Sequence, residues 1–164
     1  SMENLKKIFL GEVTNWKELG GKDQKIVILN RAAGSGTRAT FEKWVLGDKT
    51  AIRAQEQDSS GMVRSIVSDT PGAISYTAFS YVTDEVATLS IDGVQPTDEN
   101  VMNNKWIIWS YEHMYTRKNP SDLTKEFLDF MLSDDIQERV IGQLGYIPVS
   151  KMEIERDWQG NVIK

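Results

Sequence analysis

A short apolar run, a polar loop and an amphipathic helix follow one another in the first half of the chain. Residues 25–29 are rich in β-branched side chains, which is typical of a strand buried in a sheet. Residues 30–37 are polar and include two glycines. Phe41, Trp44 and Val45 then recur at helical spacing, and Gly47 follows them, where helices commonly end. This order predicts a strand–loop–helix unit, the building block of α/β folds.

The remaining segments alternate between strand patterns and helix patterns. Leu5, Ile8 and Phe9 predict an opening helix. Further strands are predicted at residues 73–77, 86–91 and 107–116, and further helices after a cap at 58–60, at 121–132 and from 136 to a glycine at 145. This alternation predicts a layered α/β/α lobe with a mixed sheet and flanking helices.

Composition limits the classes of function that the chain can have. Its 164 residues suit one domain, or one lobe of a larger protein. The net charge is −5 and no Lys/Arg block is present, which argues against a general nucleic-acid binder. Cysteine is absent, which excludes disulfides and thiol catalysis, and the single histidine, His113, leaves no ordinary zinc site. We expect His113 to be a partly buried structural residue rather than a catalytic one.

The loop that follows the first predicted strand carries the chemistry. The first turn of a helix leaves backbone N–H groups unpaired, and its dipole favours an anion there. Glycines let the backbone approach a ligand closely, hydroxyls can donate, and an arginine offers a two-pronged donor for oxyanions. The candidate ligand-binding residues are Arg31, Gly34, Ser35, Gly36, Thr37 and Arg38.

This local pattern leaves two interpretations open, an oxyanion cradle and an ordinary helix cap after a glycine turn. Two nucleotide-binding motifs are excluded. The loop is not a Walker A loop, because lysine does not follow its second glycine, and the G-x-G-x-x-G dinucleotide pattern is incomplete.

Several motifs, in order along the chain, resemble the second lobe of phosphate-binding proteins of the high-affinity phosphate importer. Residues 8–16 (IFLGEVTNW) resemble its opening motif, and residues 31–37 resemble its R-x-x-G-S-G-T loop. Residues 70–76 (TPGAISY) are similar to its T-P-G-A-I-[GS]-Y turn and strand, and residues 127–137 with 145–149 (GYIPV) to its closing helices and tail. The resemblance implies the type II periplasmic-binding-protein fold.

The resemblance also implies roles for the loop residues. In that family the arginine donates to phosphate, which here is Arg31, and the serine, glycine and threonine bind through hydroxyls and backbone N–H groups. Arg38 adjoins the loop and could add positive potential or form a surface salt bridge instead. Some members carry an acid two residues after the arginine, which can orient it. Here that position is Ala33, which leaves open how Arg31 is held.

The family has two lobes that close on phosphate, and the resemblance covers only the second. We expect residues 3–105 to form that lobe, and residues 106–164 to form a return strand and C-terminal helices that pack toward the absent N-terminal lobe. That absent lobe supplies an aspartate that accepts the phosphate proton and so rejects sulfate. This chain is therefore expected to hold about half of a site, without the element that gives selectivity.

The expected function is that of a receptor lobe that delivers inorganic phosphate to an ABC importer, without a cofactor and without chemistry of its own. Its expected partners are phosphate, the permease subunits and the N-terminal lobe. Its expected location is extracytoplasmic, in the periplasm or on a cell-surface lipoprotein, although the sequence contains no signal peptide or lipid-attachment motif. The alternatives are a receptor for sulfate or molybdate and, less favoured, a phosphoryl-handling enzyme with Ser35 as nucleophile.

Overall fold

The computed structural model describes residues 1–47, 49–157 and 159–164. The helices and strands alternate along the first half of the chain, as the sequence predicted. The strands are β1 (Val27–Arg31), β2 (Gln55–Gln57) and β3 (Ala73–Ile74), and the α-helices are α1 (Met2–Phe9), α2 (Gly36–Phe41), α3 (Ser60–Asp69), α4 (Asp98–Met102) and α5 (Asp122–Met131). Two wider helical segments, Glu42–Leu46 and Asp135–Ile141, and three short 3-10 turns, Trp16–Leu19, Phe79–Tyr81 and Val149–Lys151, complete the described elements.

The sheet has β1 at its centre, with β2 and β3 on either side. All three strands run parallel, with Arg31 opposite Gln57 and Ile28 opposite Ile74. The sequence predicted a mixed sheet, but among the described residues antiparallel pairing is confined to isolated bridges such as Asn15–Lys25. Because the strands are parallel, the loops that follow β1 and β2 leave from the same edge, which is where α/β sheets usually bind ligands.

The core fixes α1 and α2 against the sheet. Phe9, Leu29 and Leu46 are fully buried. Phe9 meets the ring of Phe41 at 4.6 Å, and Phe41 stacks on Tyr76 with centroids 4.0 Å apart and planes 9° apart. Aromatic contacts of this kind add to the stabilisation from buried area. Phe41 thereby joins the end of α2 to Tyr76, in the segment that follows β3.

Side-chain caps begin the helices where the sequence predicted them. Ser35, Ser59 and Ser121 each accept the backbone N–H of the residue three positions later, at the starts of α2, α3 and α5. The segment after α2 ends at Gly47, whose φ of 62° is the left-handed conformation that glycine adopts without strain. The predicted helix after the loop, with Gly47 just past its end, is confirmed, although its second half is wider than an α-helix.

Two predicted strands in the second half of the chain are wrong. Residues 86–91 form no strand, and only an isolated bridge between Ile91 and Val94 closes the turn there. Residues 107–116 form no strand either, and no described strand pairs with them. Strand patterns report side-chain preference, but a strand also needs a neighbour for its N–H and C=O groups. His113 lies in this segment and is exposed, where the sequence predicted partial burial.

The C-terminal end of the chain returns to the first half through Arg156. Its guanidinium lies 4.1 Å from the ring of Trp44 and 3.9 Å from that of Trp109. It also donates to the carbonyl oxygens of Ile107 and Trp109. Burial lowers the pKa of Arg156 to about 10.

None of the helices in the described ranges is both long enough and apolar enough to cross a membrane.

Candidate anion-binding site

The loop between β1 and α2 presents an open, glycine-lined helix start. The Ser35 N–H donates to the carbonyl oxygen of Ala32, which makes a tight turn, and Gly34 has a φ of 88°. Gly34 and Gly36 are exposed, and no atom lies within 4 Å of where a Cβ would stand on either. A ligand could therefore approach the backbone without meeting a side chain.

Arg31 stands beside this loop, at the carboxyl end of the central strand. Its Nη1 donates to the Oγ of Ser60 at 2.6 Å and to the Oγ1 of Thr37 at 3.5 Å. Its Nη2 donates to the carbonyl oxygen of Asp58 at 2.7 Å, and its Nε to that of Gln57 at 3.3 Å. A guanidinium carries five N–H donors, so these four hydrogen bonds leave one donor for an anion.

This geometry answers the question raised by Ala33, which is exposed. The four described acceptors of Arg31 are hydroxyl and carbonyl oxygens, and none is a carboxylate. The guanidinium is therefore oriented without an acidic partner among the described residues.

Arg38 uses its side chain differently. Its Nε donates to Glu42 at 2.9 Å, and its Nη1 donates to Glu56 at 2.7 Å and to the carbonyl oxygen of Arg31 at 2.9 Å. The hydrogen bonds to Glu56 and Glu42 raise the pKa of Arg38 further above its ordinary value. Of the two roles that the sequence left open, these contacts favour the salt bridge, which ties the loop to β2 and to the segment after α2.

Tyr76 supports the start of the loop through one hydrogen bond and one ring contact. Its hydroxyl accepts the backbone N–H of Arg31 at 3.3 Å, and its ring stacks on Phe41. Burial raises the pKa of the Tyr76 phenol, so the hydroxyl stays neutral at physiological pH. Next to it, the Ser75 hydroxyl donates to the carbonyl oxygen of Leu29 at 2.8 Å.

Sequence reasoning missed the residues that β2 brings to this edge. It treated residues 58–60 as a helix cap and did not detect β2, so nothing connected Gln57, Asp58 or Ser60 with Arg31. The structure places Ser35 and Gly36 at the start of α2, brings Arg31 to Thr37, and adds Ser60 from the start of α3. The usable signal was a serine at a helix start, which marks Ser59 before α3 as it marks Ser35 before α2.

Comparisons with known proteins identify the family of the chain. A family model described as a PBP superfamily domain matches residues 1–135. The phosphate-binding protein PstS of Bacillus subtilis is 52% identical over 161 residues, which cover 98% of this chain and 54% of that protein. PstS of Borreliella burgdorferi is 32% identical over 90% of this chain and 57% of its own length. The chain thus spans a little over half the length of these two relatives.

Solved structures show the same fold. A candidate phosphate ABC transporter substrate-binding protein from Clostridium perfringens, with bound phosphate, superimposes with a TM-score of 0.77 at 36% identity, over 90% of this chain and 62% of its own. An ABC-type phosphate transport receptor from Vibrio cholerae gives 0.72 at 28% identity, over 89% and 62%. The layered α/β lobe predicted from the sequence is confirmed.

Proposed function

The chain belongs to the PBP superfamily, and from this premise we propose that it is the second lobe of a receptor that delivers inorganic phosphate to an ABC importer. The observation that carries the proposal is the half-buried Arg31 guanidinium, held by neutral oxygens beside an open, glycine-lined helix start. The relatives named for phosphate binding supply the identity of the anion.

The proposed ligand contacts come from one side of the loop. Arg31 offers its remaining N–H, and Gly36 and Thr37 offer backbone N–H groups at the first turn of α2, where no intrahelical acceptor exists. The Oγ of Ser35 accepts from the Arg38 amide, and that of Thr37 accepts from Arg31, so both hydroxyl hydrogens remain able to donate. Gly34 keeps the approach open. Arg38 has a supporting role in this proposal.

The proposed function is binding without chemical change. A nucleophilic Ser35 would need a base within hydrogen-bond reach. In the described residues its Oγ accepts from the Arg38 amide, and His113 is itself exposed, in the unpaired 107–116 segment. We propose no cofactor.

The second part of the chain, residues 106–164, is proposed to pack on a further lobe. The helix α5 has no buried residue, and Phe127 and Phe130 on it are 55% and 54% exposed. Tyr115, in the unpaired 107–116 segment, is 89% exposed. Monomeric proteins rarely leave so much apolar surface uncovered. The relatives are nearly twice as long as this chain, which gives them enough residues for such a lobe.

The same proposal extends to partners and location. Phosphate receptors of ABC importers deliver their ligand to permease subunits, and they work outside the cytoplasm. We propose that the intact protein delivers phosphate to permease subunits and lies outside the cytoplasm. Anchoring as a lipoprotein is one form that this location can take. Selectivity against sulfate or molybdate is assigned to the further lobe, because the loop residues described here are all donors, and donors accept any tetrahedral oxyanion.

Binding by this chain alone is expected to be weak. A hydrogen bond to a charged group contributes about 1.5–3 kcal/mol, and association and ordering offset most of the sum of three or four such bonds. We expect a Kd on the order of 1 mM or weaker. Micromolar binding by the 164-residue chain would contradict the half-site assignment.

A phosphorus-31 NMR titration tests the proposal. Phosphate at a fixed concentration receives increasing amounts of the chain, and its signal should broaden and shift. Arg31→Gln should abolish the effect, whereas Lys125→Gln, a matched loss of one positive charge on the distant and exposed helix α5, should leave it unchanged. Equal responses from the two variants would mean that phosphate senses net charge and not this site.

A further inference from the structure

Among the described serines and threonines, Ser60 is the one that is buried as a residue, and capping does not account for it. It is the first residue of α3 and is 7% exposed. The cap of α3 is Ser59, whose Oγ accepts the Met62 N–H at 3.2 Å. The Ser60 Oγ instead accepts from the Nη1 of Arg31 at 2.6 Å, the shortest of the contacts that Arg31 makes.

The two glutamate side chains near the loop are engaged elsewhere. Glu42 and Glu56 pair with Arg38, and Glu42 also accepts the Ala51 N–H at 3.2 Å. Asp58 meets Arg31 through its backbone carbonyl. Within the described ranges, Arg31 is thus oriented by oxygens that carry no net charge.

From these contacts we propose that Ser60 is a positioning residue for the anion-binding arginine. This inference rests on the proposed function, that is, on Arg31 binding phosphate. The parallel register places Arg31 opposite Gln57, so the chain that leaves β2 carries the carbonyl of Asp58 and the hydroxyl of Ser60 to the guanidinium. Together they fix its plane.

Orientation of the Arg31 guanidinium by uncharged oxygens has a consequence that orientation by a carboxylate would not have. A carboxylate that orients an arginine also neutralises its charge and competes with an incoming anion. The hydroxyl of Ser60 restricts the rotation of the guanidinium and leaves its full charge for the ligand. The entropy of ordering a long side chain is then lost on folding and not again on binding.

Two variants of adjacent serines separate positioning from helix stability. Ser60→Ala removes the contact to Arg31 and leaves the cap intact, and Ser59→Ala removes the cap and leaves the contact intact. Phosphate affinity, followed by phosphorus-31 NMR on the 164-residue chain, should fall about fivefold in Ser60→Ala, as expected when one long side chain must be ordered on binding. It should change less than twofold in Ser59→Ala. Ser60→Thr, which keeps the hydroxyl, should restore most of the affinity.

A second readout does not depend on phosphate. Nitrogen-15 signals of the Arg31 guanidinium report rotation about its Cζ–Nε bond in the free protein. Rotation should be slow in the wild type and in Ser59→Ala and fast in Ser60→Ala. Equal rotation in the wild type and Ser60→Ala, or equal phosphate affinity in the two, would overturn the inference. If the wild type gives no phosphate response, the proposed function fails, and the rotation measurement still decides whether Ser60 holds Arg31.

Discussion

Replacing Arg38 by glutamine separates a supporting role from a ligand role. The wild-type side chain is 11% exposed and joins Glu42, Glu56 and the carbonyl oxygen of Arg31. Glutamine is uncharged and shorter, so it cannot keep all three contacts. The substitution should leave Glu42 without its cation and release the backbone of Arg31, and both effects should act on stability.

The size of the loss follows from the exposure of the two acids. Glu42 is 19% exposed and Glu56 is 43% exposed. A hydrogen bond to a charged group contributes about 1.5–3 kcal/mol, but an exposed ion pair contributes only about 0–1 kcal/mol. We expect Arg38→Gln to lower the free energy of unfolding by about 2–3 kcal/mol, most of it through Glu42. For a chain of this length the Tm should fall by roughly 5–10 °C.

Urea denaturation and calorimetry measure this loss, and Glu56→Gln is the matched control. Because Glu56 is the more exposed partner, its substitution should lower the free energy of unfolding by less than about 1 kcal/mol. Phosphate affinity should fall less than about threefold in Arg38→Gln and more than about tenfold in Arg31→Gln. A stability loss below about 0.5 kcal/mol in Arg38→Gln, together with a tenfold loss of affinity, would refute the supporting role and make Arg38 a ligand.

Three further predictions follow from the described contacts. Gly72→Ala should lower the free energy of unfolding by about 2–4 kcal/mol in urea denaturation, because its Cβ would clash with the carbonyl oxygen of Lys25 and its φ of 82° is strained for alanine. Phe127→Ser should leave stability within about 0.5 kcal/mol and raise solubility, while Phe41→Ala should cost about 3–5 kcal/mol. Burial raises the Tyr76 pKa, so above its ordinary value of 10.0 the unfolded phenol ionises first and stability falls with pH. That part of the fall should be missing in Tyr76→Phe.

The strand–loop–helix unit could be predicted because its signals are local. The strand predicted at residues 25–29 corresponds to β1. The observed strand begins at Val27 and ends two residues beyond the predicted end. Ser35 caps α2, and Gly47 ends the segment that follows it, as their residue types indicate. The candidate ligand residues lie in that unit, so the sequence also predicted where most of the candidate site lies.

What the sequence could not show depends on β2. The strand Gln55–Gln57 is short, polar and mostly exposed, so it lacks the apolar alternation that indicates a strand. Its pairing with β1 decides that Arg38 meets Glu56 and that Arg31 meets Ser60. These contacts join residues far apart in the sequence, and no local pattern encodes them.

The opposite error occurred at residues 107–116. Their aromatic and β-branched side chains have high strand preference, yet no described strand pairs with them. The rings of Tyr111 and His113 lie 6.3 Å apart, and those of His113 and Tyr115 lie 6.1 Å apart. The side chains at alternate positions thus share one face, as they do in a strand, but no described strand lies beside them. The proposed further lobe would provide such a neighbour.

A residue-resolved amide NMR titration tests directly whether the loop between β1 and α2 binds the anion. Phosphate and sulfate are added separately to the nitrogen-15-labelled chain at low ionic strength, and the shifts of residues 34–38 are compared with those of α5. If the loop binds the anion, the shifts should be weak and saturable, concentrated in residues 34–38, and similar for the two anions. No shift in that loop at millimolar anion, or equal shifts in α5, would contradict the claim that this loop holds the anion.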